Sequence, residues 1–263
     1  ADHMLRPPFP PYGVMLARTK EEAQKLIEML IAELGFAPGD LQVVFSGGRG
    51  YHIHVKALSV RQFSSAERRE LINYVCGIGL DPALLARPTP DSTSGWRGRQ
   101  RRALAEYLGW LDSLGEHDAL AHLRTLPRIG DLKAERIWKH RAELARGTNT
   151  VSTRDLLSAL LSPENEAWRT RLREAGVQAD EPVTTDIKRL IRAPGSLHGG
   201  SGLRVMNLAP RDLDAFDPLI DAVVFGDREV PVEVQRACTV SLLGENLQLA
   251  PGPARVPEAA AVY

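Results

Sequence analysis

The stretch that most constrains the fold covers residues 43–55 and reads VVFSGGRGYHIHV. Its apolar start predicts a buried strand, and its glycine-rich tip predicts a tight connection to a second strand. In the second strand, apolar and aromatic side chains alternate with His52 and His54, so both histidines should lie on the face opposite the core. The stretch therefore predicts a β-hairpin that has one polar face.

The tip of this hairpin offers several kinds of hydrogen-bond donor to an anion. Ser46 carries a hydroxyl and Arg49 carries a guanidinium fork. Between them, Gly47 and Gly48 let backbone N–H groups approach a ligand closely. No Gly-Lys-Ser/Thr follows, so the tip is not a Walker loop. A plain β-hairpin with a solvated arginine fits the same residues, and this stretch alone leaves both interpretations open.

A second stretch, residues 180–202, again combines acid, base, histidine and glycine. Thr184 or Thr185 could cap a short helix that ends before Pro194. We expect this helix to carry three cations on nearby faces, namely Lys188, Arg189 and Arg192. His198 would then lie in a loop rich in glycine and serine.

The pairing of SGGRGYHIHV with DEPVTTDIKRLIRAPGSLHG resembles the small, catalytic subunit of archaeal and eukaryotic DNA primase. Both motifs are long and stand in the family's order, and a looser similarity extends over nearly the whole chain. The resemblance implies an α/β (α+β) fold, the archaeo-eukaryotic primase catalytic core with an α-helical insert. It also implies synthesis of short RNA primers on a single-stranded DNA template by two-metal nucleotidyl transfer.

The resemblance also implies a site. Asp180 matches a metal-ligand carboxylate of the family and is the expected catalytic residue. The residues expected to bind the nucleoside triphosphate are Ser46, Gly47, Gly48, Arg49, His52, Arg192 and His198. Guanidinium groups can neutralise the leaving pyrophosphate, and imidazole N–H groups can donate to phosphate oxygens. Some members carry an arginine in place of Gly48, which predicts one weaker phosphate contact here. Lys188 and Arg189 could be phosphate contacts or surface charges.

The first residues of the sequence indicate which metal ligands the chain carries. Family members carry an Asp-x-Asp metal pair that is often followed directly by Ala-Asp-His, and this sequence opens with Ala1-Asp2-His3. We expect the chain to begin just after that pair and to stop within a terminal helix that relatives continue. A complete site would hold two Mg²⁺ or Mn²⁺ ions. On this expectation, the chain binds nucleotide weakly and catalyses poorly.

Charge and cysteine content set further limits. Lysine plus arginine equals aspartate plus glutamate, at 33 each, so any anion site must be a local patch. Cys76 and Cys238 lie far apart in apolar runs, which predicts two buried thiols and no disulfide. Without a CxxC pair we expect no zinc site. No long apolar run and no signal peptide is present, so we expect a cytoplasmic protein with no membrane segment.

Hydrophobic periodicity divides the chain into domains. Residues 88–98 are rich in proline, serine, threonine and glycine and form the predicted boundary. We predict a discontinuous catalytic core, residues 1–95 with 176–263, and a helical insert, residues 96–175. Capping boxes predict helix starts at Thr19 and Ser64. Strand-like runs at residues 203–208, 230–234 and 239–243 should complete the core sheet.

Two features of the insert are candidates for DNA contact. A basic cluster stands at its entrance and comprises Arg97, Arg99, Arg101 and Arg102. Residues 126–137 resemble a helix-hairpin-helix, in which backbone N–H groups hold a DNA phosphate, with Arg128, Gly130 and Lys133 as the candidate contacts. Arg128 stands where that motif prefers glycine. A solvated helix start and an ordinary corner between helices fit these two patterns as well.

The resemblance implies three partners: a primase large subunit in a heterodimer, single-stranded DNA and ribonucleoside triphosphates. Two alternatives remain open. One is a non-catalytic nucleic-acid-binding module, and the other is a repair-type primase-polymerase that uses deoxynucleotides. A polymerase site prefers triphosphates with a divalent metal, whereas a module that binds only backbone phosphates ignores free nucleotides and follows salt steeply.

Overall fold

The computed structural model describes residues 10–81, 93–147 and 151–263. Ala1-Asp2-His3 and residues 88–92 of the predicted boundary at residues 88–98 lie outside these ranges. The chain forms two compact units, one of Ala1–Arg69 with Asp180–Tyr263 and one of Glu70–Ala179. We call them the sheet unit and the helical unit. Their limits differ from the predicted limits at 95 and 176, and the division into a catalytic core and an insert stays a prediction.

The sheet unit mixes helices and strands, as the predicted α+β class requires. Its elements are helix α1 (Tyr12–Ala32), strands β1 (Leu41–Phe45), β2 (Tyr51–Val55) and β3 (Met206–Leu208), strands β4 (Glu229–Val234), β5 (Cys238–Leu242), β6 (Glu245–Leu249) and β7 (Gly252–Pro257), and short helices at Glu181–Thr185, Pro218–Asp221 and Glu258–Val262. Single 3-10 turns span Pro38–Asp40, Leu58–Val60 and Pro210–Asp212.

The predicted hairpin is confirmed in type and in register. Strands β1 and β2 pair antiparallel, and β3 joins the other edge of β1, so the sheet order is β2-β1-β3. Ile53 packs against a core that includes Leu30 of α1 and Val43 of β1. On the opposite face of β2, the rings of His52 and His54 lie 6.4 Å apart. Alternation in the sequence thus separates the core face from the polar face.

One helix start was predicted correctly and one was not. Ser64 and Glu67 form the predicted capping box, in which the Ser64 N–H donates to the Glu67 carboxylate at 2.7 Å. Thr19, by contrast, lies inside α1, and its hydroxyl donates to the Met15 carbonyl at 2.8 Å. The helix begins upstream at Tyr12 because Met15 and Leu16 are buried and extend its apolar face.

The prediction that later strands complete the core sheet is confirmed for β3 and was wrong for the two strand-like runs at residues 230–234 and 239–243. Strand β4 pairs with β7 and strand β5 pairs with β6, which makes two separate two-stranded sheets. A tight turn at Leu243 and Gly244, both with positive φ, folds β5 directly onto β6. Of the predicted strand at residues 203–208, only β3 is regular. Cys238, predicted to be buried, is exposed on this hairpin, and neither cysteine is in a disulfide.

The helical unit contains the helices between the two sheet segments, together with most of the helix Ser65–Cys76. Its other helices are Gly95–Leu114, Glu116–Arg124, Asp131–Ala145, Val151–Leu160 and Glu166–Glu174. The Val177 N–H donates to the Val75 carbonyl at 2.9 Å, which holds the end of the first helix within this unit. No helix in the described ranges is both long and apolar enough to cross a membrane.

Candidate functional site

The connection between β1 and β2 is a compact glycine loop. The Ser46 N–H donates to the Gly50 carbonyl at 2.9 Å and closes it. Gly47 has φ +73°, a conformation that favours glycine. Gly47 and Gly48 are buried, whereas Arg49 between Gly48 and Gly50 is exposed. The loop therefore holds its backbone against the protein and presents its arginine outward.

The glycine loop packs directly against His198, which belongs to the second sequence stretch. A Cβ added at Gly47 would lie 2.8 Å from His198 Cβ and 2.9 Å from the Leu203 carbonyl oxygen. A Cβ added at Gly48 would lie 2.8 Å from His198 Nε2. No side chain larger than hydrogen fits at either position without displacement. The structure therefore brings the two sequence stretches together.

Two hydroxyls that sequence analysis missed contact the same loop. The Tyr12 hydroxyl donates to the Gly48 carbonyl at 2.6 Å, and the Ser201 hydroxyl donates to the Gly47 carbonyl at 2.5 Å. Tyr12 stands in a proline-rich segment that offers no sequence signal. Ser201 is 8% exposed and lies in the glycine- and serine-rich loop after His198, where the sequence marks only a turn.

His52 is at the centre of a group of charges. Burial lowers its pKa from 6.5, and His54, Arg192 and Arg189 lower it further. Asp180 opposes these effects and favours the protonated ring. These five side chains therefore share one electrostatic environment, although they come from two segments far apart in the sequence.

His198 links this group of charges to the glycine loop. Burial has the largest effect on the pKa of His198 and lowers it. The positive charges of Arg192 and Arg49 lower this pKa further. Burial also raises the pKa of Tyr12, and Arg49 opposes that rise. The two arginines thus act on one histidine from different segments. A bound anion would be attracted to both positive charges.

The helix predicted around Lys188 and Arg192 is absent. The helix in this region spans only Glu181–Thr185, with Asp180 at its N-cap position. Thr185 does not cap a helix, since its hydroxyl donates back to the Glu181 carbonyl at 3.1 Å. The Lys188 N–H donates to the Asp186 carboxylate at 3.0 Å, which competes with helical hydrogen bonding. Residues 186–196 form an exposed irregular segment, so Lys188, Arg189 and Arg192 face solvent.

Asp180 is exposed, and its side chain makes no capping hydrogen bond although it occupies the N-cap position. A carboxylate is a suitable ligand for Mg²⁺ or Mn²⁺. Within the residues that the structure describes, however, no group of three histidine, cysteine, aspartate or glutamate side chains could hold a metal ion. Asp180 thus offers one carboxylate, and the described residues do not complete a metal site around it.

The arginines at the start of Gly95–Leu114 do not form one continuous surface. Arg101 and Arg102 are exposed, whereas Arg99 is 5% exposed and donates to the Ala175 carbonyl at 3.1 Å. Arg101 also donates to the Arg146 carbonyl at 2.6 Å. Arg99 therefore stabilises the interior of the helical unit. Contact of Arg97, Arg101 and Arg102 with DNA stays a prediction.

The predicted helix-hairpin-helix is a turn between Glu116–Arg124 and Asp131–Ala145. Arg128 has φ +66°, the conformation for which such a turn prefers glycine. Its guanidinium forms two hydrogen bonds with the Glu164 carboxylate, at 2.6 and 2.9 Å. Lys133 lies 3.5 Å from the Asp155 carboxylate. Gly130 is the N-cap of the second helix. DNA binding at this turn stays a prediction.

We expect Gly47→Ala to lower the free energy of unfolding by roughly 2–4 kcal/mol, because it combines a positive φ with a clash against a backbone oxygen. Urea unfolding monitored by circular dichroism measures this loss. Gly50→Ala is the matched control, since a Cβ there meets nothing within 4 Å and its φ is not positive. Equal effects of the two substitutions would contradict the close approach to His198.

We expect the free energy of unfolding to fall as the pH is lowered below about 6.5. The folded state lowers the pKa of His52, His54 and His198 from 6.5, so the unfolded chain takes up protons at a higher pH. The contribution of these histidines to the free energy of unfolding is therefore fully present above the pKa of the unfolded chain. It is lost as the pH falls below that value. Urea midpoints across this range measure the slope. His54→Gln should reduce the slope, and an unchanged slope would contradict the prediction.

In a mixed α+β unit, the glycine loop, His198 and the nearby arginines form a candidate anion site. The family model described as DNA primase small subunit matches residues 10–210. The DNA primase small subunit PriS of Methanosphaerula palustris is 51% identical over 269 residues, which cover the whole of this chain and 70% of that protein. PriS of Methanoregula boonei is 47% identical at the same coverages. PriS of Methanosarcina barkeri is 36% identical over the whole of this chain and 71% of that protein.

The chain belongs to the DNA primase small subunit family. The resemblance seen in the two sequence stretches is thereby confirmed, as is the α+β class of a primase catalytic core. The match to the family model includes the glycine loop, Asp180 and His198. Residues beyond 210 lie outside that match, although the relatives align with the chain over its whole length.

Proposed function

We propose that this chain is the subunit that synthesises short RNA primers from ribonucleoside triphosphates on a single-stranded DNA template. Membership in the primase small subunit family supports a primase catalytic subunit. The single observation that carries the proposal is the packing of His198 against the buried glycine loop, with the charges of Arg49 and Arg192 acting on its ring. Such an arrangement suits the several negative charges of a triphosphate.

The proposed division of roles follows from where each group lies. Arg49, exposed at the loop, and Arg192, on the irregular segment, would bind the β- and γ-phosphates and stabilise charge on leaving pyrophosphate. His52 and His198 are neutral at pH 7, because their pKa values are lowered, and each would donate one ring N–H to a phosphate oxygen. Ser46 is buried beside the loop and supports its backbone.

We propose Mg²⁺ or Mn²⁺ as the metal, with Asp180 as one ligand. When bound, such ions would neutralise the triphosphate and activate the attacking hydroxyl. The remaining carboxylates of a two-metal site are not supplied by the described residues, so no geometry can be assigned. Metal titration in the presence of nucleotide tests the assignment. Asp180→Asn should weaken Mn²⁺ binding, and unchanged Mn²⁺ binding would contradict it.

We also propose that the chain works in the cytoplasm and in a heterodimer with a primase large subunit, since relatives are named as small subunits. Co-purification of the native complex from cells tests the partner. Isolation of the small subunit alone, under conditions gentle enough to preserve a complex, would contradict it.

The proposed function is tested by measuring nucleotide and DNA binding on the same protein. We expect ribonucleoside triphosphates to bind more tightly than monophosphates, and the metal complexes of the triphosphates to be preferred. A clear preference for deoxynucleotides would favour the repair-type primase-polymerase. A protein that ignores free nucleotides, and whose affinity for single-stranded DNA falls steeply with salt, would be the non-catalytic binding module.

A further inference from the structure

The two carbonyls at the centre of the glycine loop each accept a hydrogen bond from a side chain distant in the sequence. Tyr12 comes from the start of α1, and Ser201 comes from the loop that follows His198. A trans peptide unit is planar, with its N–H directed opposite to its C=O. Fixing the carbonyls of Gly47 and Gly48 therefore also fixes the directions of the next two N–H groups, those of Gly48 and Arg49.

The hydroxyl of Ser201 has a second neighbour, the ring of His198. Ser201 Oγ lies 3.1 Å from His198 Nδ1, and the Gly200 N–H donates to the same ring nitrogen at 3.2 Å. The His198 backbone is held as well, because its N–H donates to the Leu203 carbonyl at 2.9 Å. The histidine is thus fixed by its own loop before any ligand arrives.

One of these contacts, from the Gly200 N–H, favours one form of the neutral imidazole. A ring nitrogen that accepts a hydrogen bond carries no proton, so the Gly200 N–H requires Nδ1 to be the acceptor. The proton of neutral His198 then lies on Nε2. Nε2 is the ring atom next to Gly48, 2.8 Å from the position of an added Cβ. The donor of His198 therefore lies on the same side as the glycine loop.

The two hydroxyls also lie in one environment, since the Ser201 side chain lowers the pKa of Tyr12 while burial raises it. One network consequently joins α1, the glycine loop and the His198 loop. A loop that only needed to be stable could satisfy its carbonyls with backbone N–H groups or water. Here the Tyr12 and Ser201 hydroxyls bind two successive carbonyls of the loop, and the Ser201 hydroxyl also lies next to the His198 ring. This combination points to control of donor direction.

We propose that Tyr12 and Ser201 are positioning residues for the triphosphate, which orient the Arg49 N–H and the His198 Nε2–H toward its phosphates. The Gly48 N–H donates to Ser46 Oγ at 3.4 Å and so helps to hold the loop. The proposal rests on the proposed function, because it assumes a triphosphate at this loop. Neither residue contacts the ligand in this account. Each acts through the group that it holds, so its removal changes affinity without removing a donor.

The test measures ATP binding by calorimetry for wild type, Tyr12→Phe, Ser201→Ala and Ser201→Thr. Tyr12→Phe and Ser201→Ala should each weaken binding about three- to tenfold, the effect expected for one lost hydrogen bond. Ser201→Thr keeps the hydroxyl and should restore most of the affinity. The double variant should lose less than the product of the two single effects, because both act on one network.

Tyr263→Phe is the matched control, since the Tyr263 ring packs edge-on against Tyr12 at 5.7 Å and this change removes only a hydroxyl. Urea midpoints establish that all variants are folded. Nitrogen NMR of His198 in the ligand-free protein provides a readout independent of ATP. The wild type should carry its proton on Nε2, and Ser201→Ala should alter the His198 nitrogen shifts.

The outcomes separate the two proposals. If the wild type binds ATP and both variants bind it equally well, the positioning role is overturned and the proposed function stands. A His198 proton on Nδ1 in the wild type would overturn the orientation of the ring. If the wild type does not bind ATP, the proposed function fails and the positioning of phosphates fails with it. The NMR shifts then still decide whether Ser201 orients His198.

Discussion

Replacement of Asp180 by asparagine is expected to reduce primer synthesis by at least about a thousandfold and to leave ATP affinity nearly unchanged. The Asp180 carboxylate makes no capping hydrogen bond, is exposed and interacts with His52, so it is available to a metal ion. Asparagine keeps the shape but loses the negative charge. Loss of several kcal/mol of metal-dependent stabilisation corresponds to this factor, at about 1.4 kcal/mol for each factor of ten. Primer synthesis on single-stranded DNA by the intact small subunit together with the large subunit measures it.

Asp186→Asn is the control for this prediction. Asp186 is an exposed aspartate of the same segment, but its carboxylate already accepts the Lys188 N–H at 3.0 Å. We expect this change to have a small effect on turnover. Full activity of Asp180→Asn would show that Asp180 only begins a short helix. Loss of ATP affinity together with turnover would instead place Asp180 in the folding of the site.

Replacement of Arg49 by alanine is expected to weaken ATP binding about ten- to a hundredfold, or about 1.5–3 kcal/mol for a charge-assisted hydrogen bond. Arg49 is exposed while the glycines before it are buried, so its side chain can reach a ligand that the loop contacts. His198→Ala should have an effect of the same order. Arg49→Lys should recover only part of the affinity, because lysine lacks the planar fork. Calorimetry with ATP measures all three.

Arg61→Ala is the matched control, since Arg61 is an exposed arginine of the same unit outside the site. We expect it to leave ATP affinity unchanged. Affinity for single-stranded DNA should change little in Arg49→Ala. The opposite pattern, lost DNA binding with retained ATP binding, would show that the hairpin holds a nucleic-acid backbone. The non-catalytic module would then be the better description of the chain.

Some errors of the sequence analysis have a common physical cause. The sequence around Thr19 is typical of a helix start. In the structure α1 begins seven residues earlier, at Tyr12, because Leu16 is buried in the core. The apolar runs after residue 228 form strands, but their pairing depends on which edges meet in space. The cations near Lys188 were expected on a helix, but the Lys188 N–H donates locally to the Asp186 carboxylate and the helix does not form. Local sequence patterns predict which secondary structure a segment favours. Contacts with segments distant in the sequence decide which structure forms.

The sequence by itself determined the hairpin of β1 and β2, its polar face and the capping box at Ser64, because strand alternation and cap chemistry are local. It also identified the family through two long motifs. Only the tertiary structure brought His198 against the glycine loop and placed the hydroxyls of Tyr12 and Ser201 on successive carbonyls. No sequence period relates these residues, because their contacts form when distant segments pack into one core.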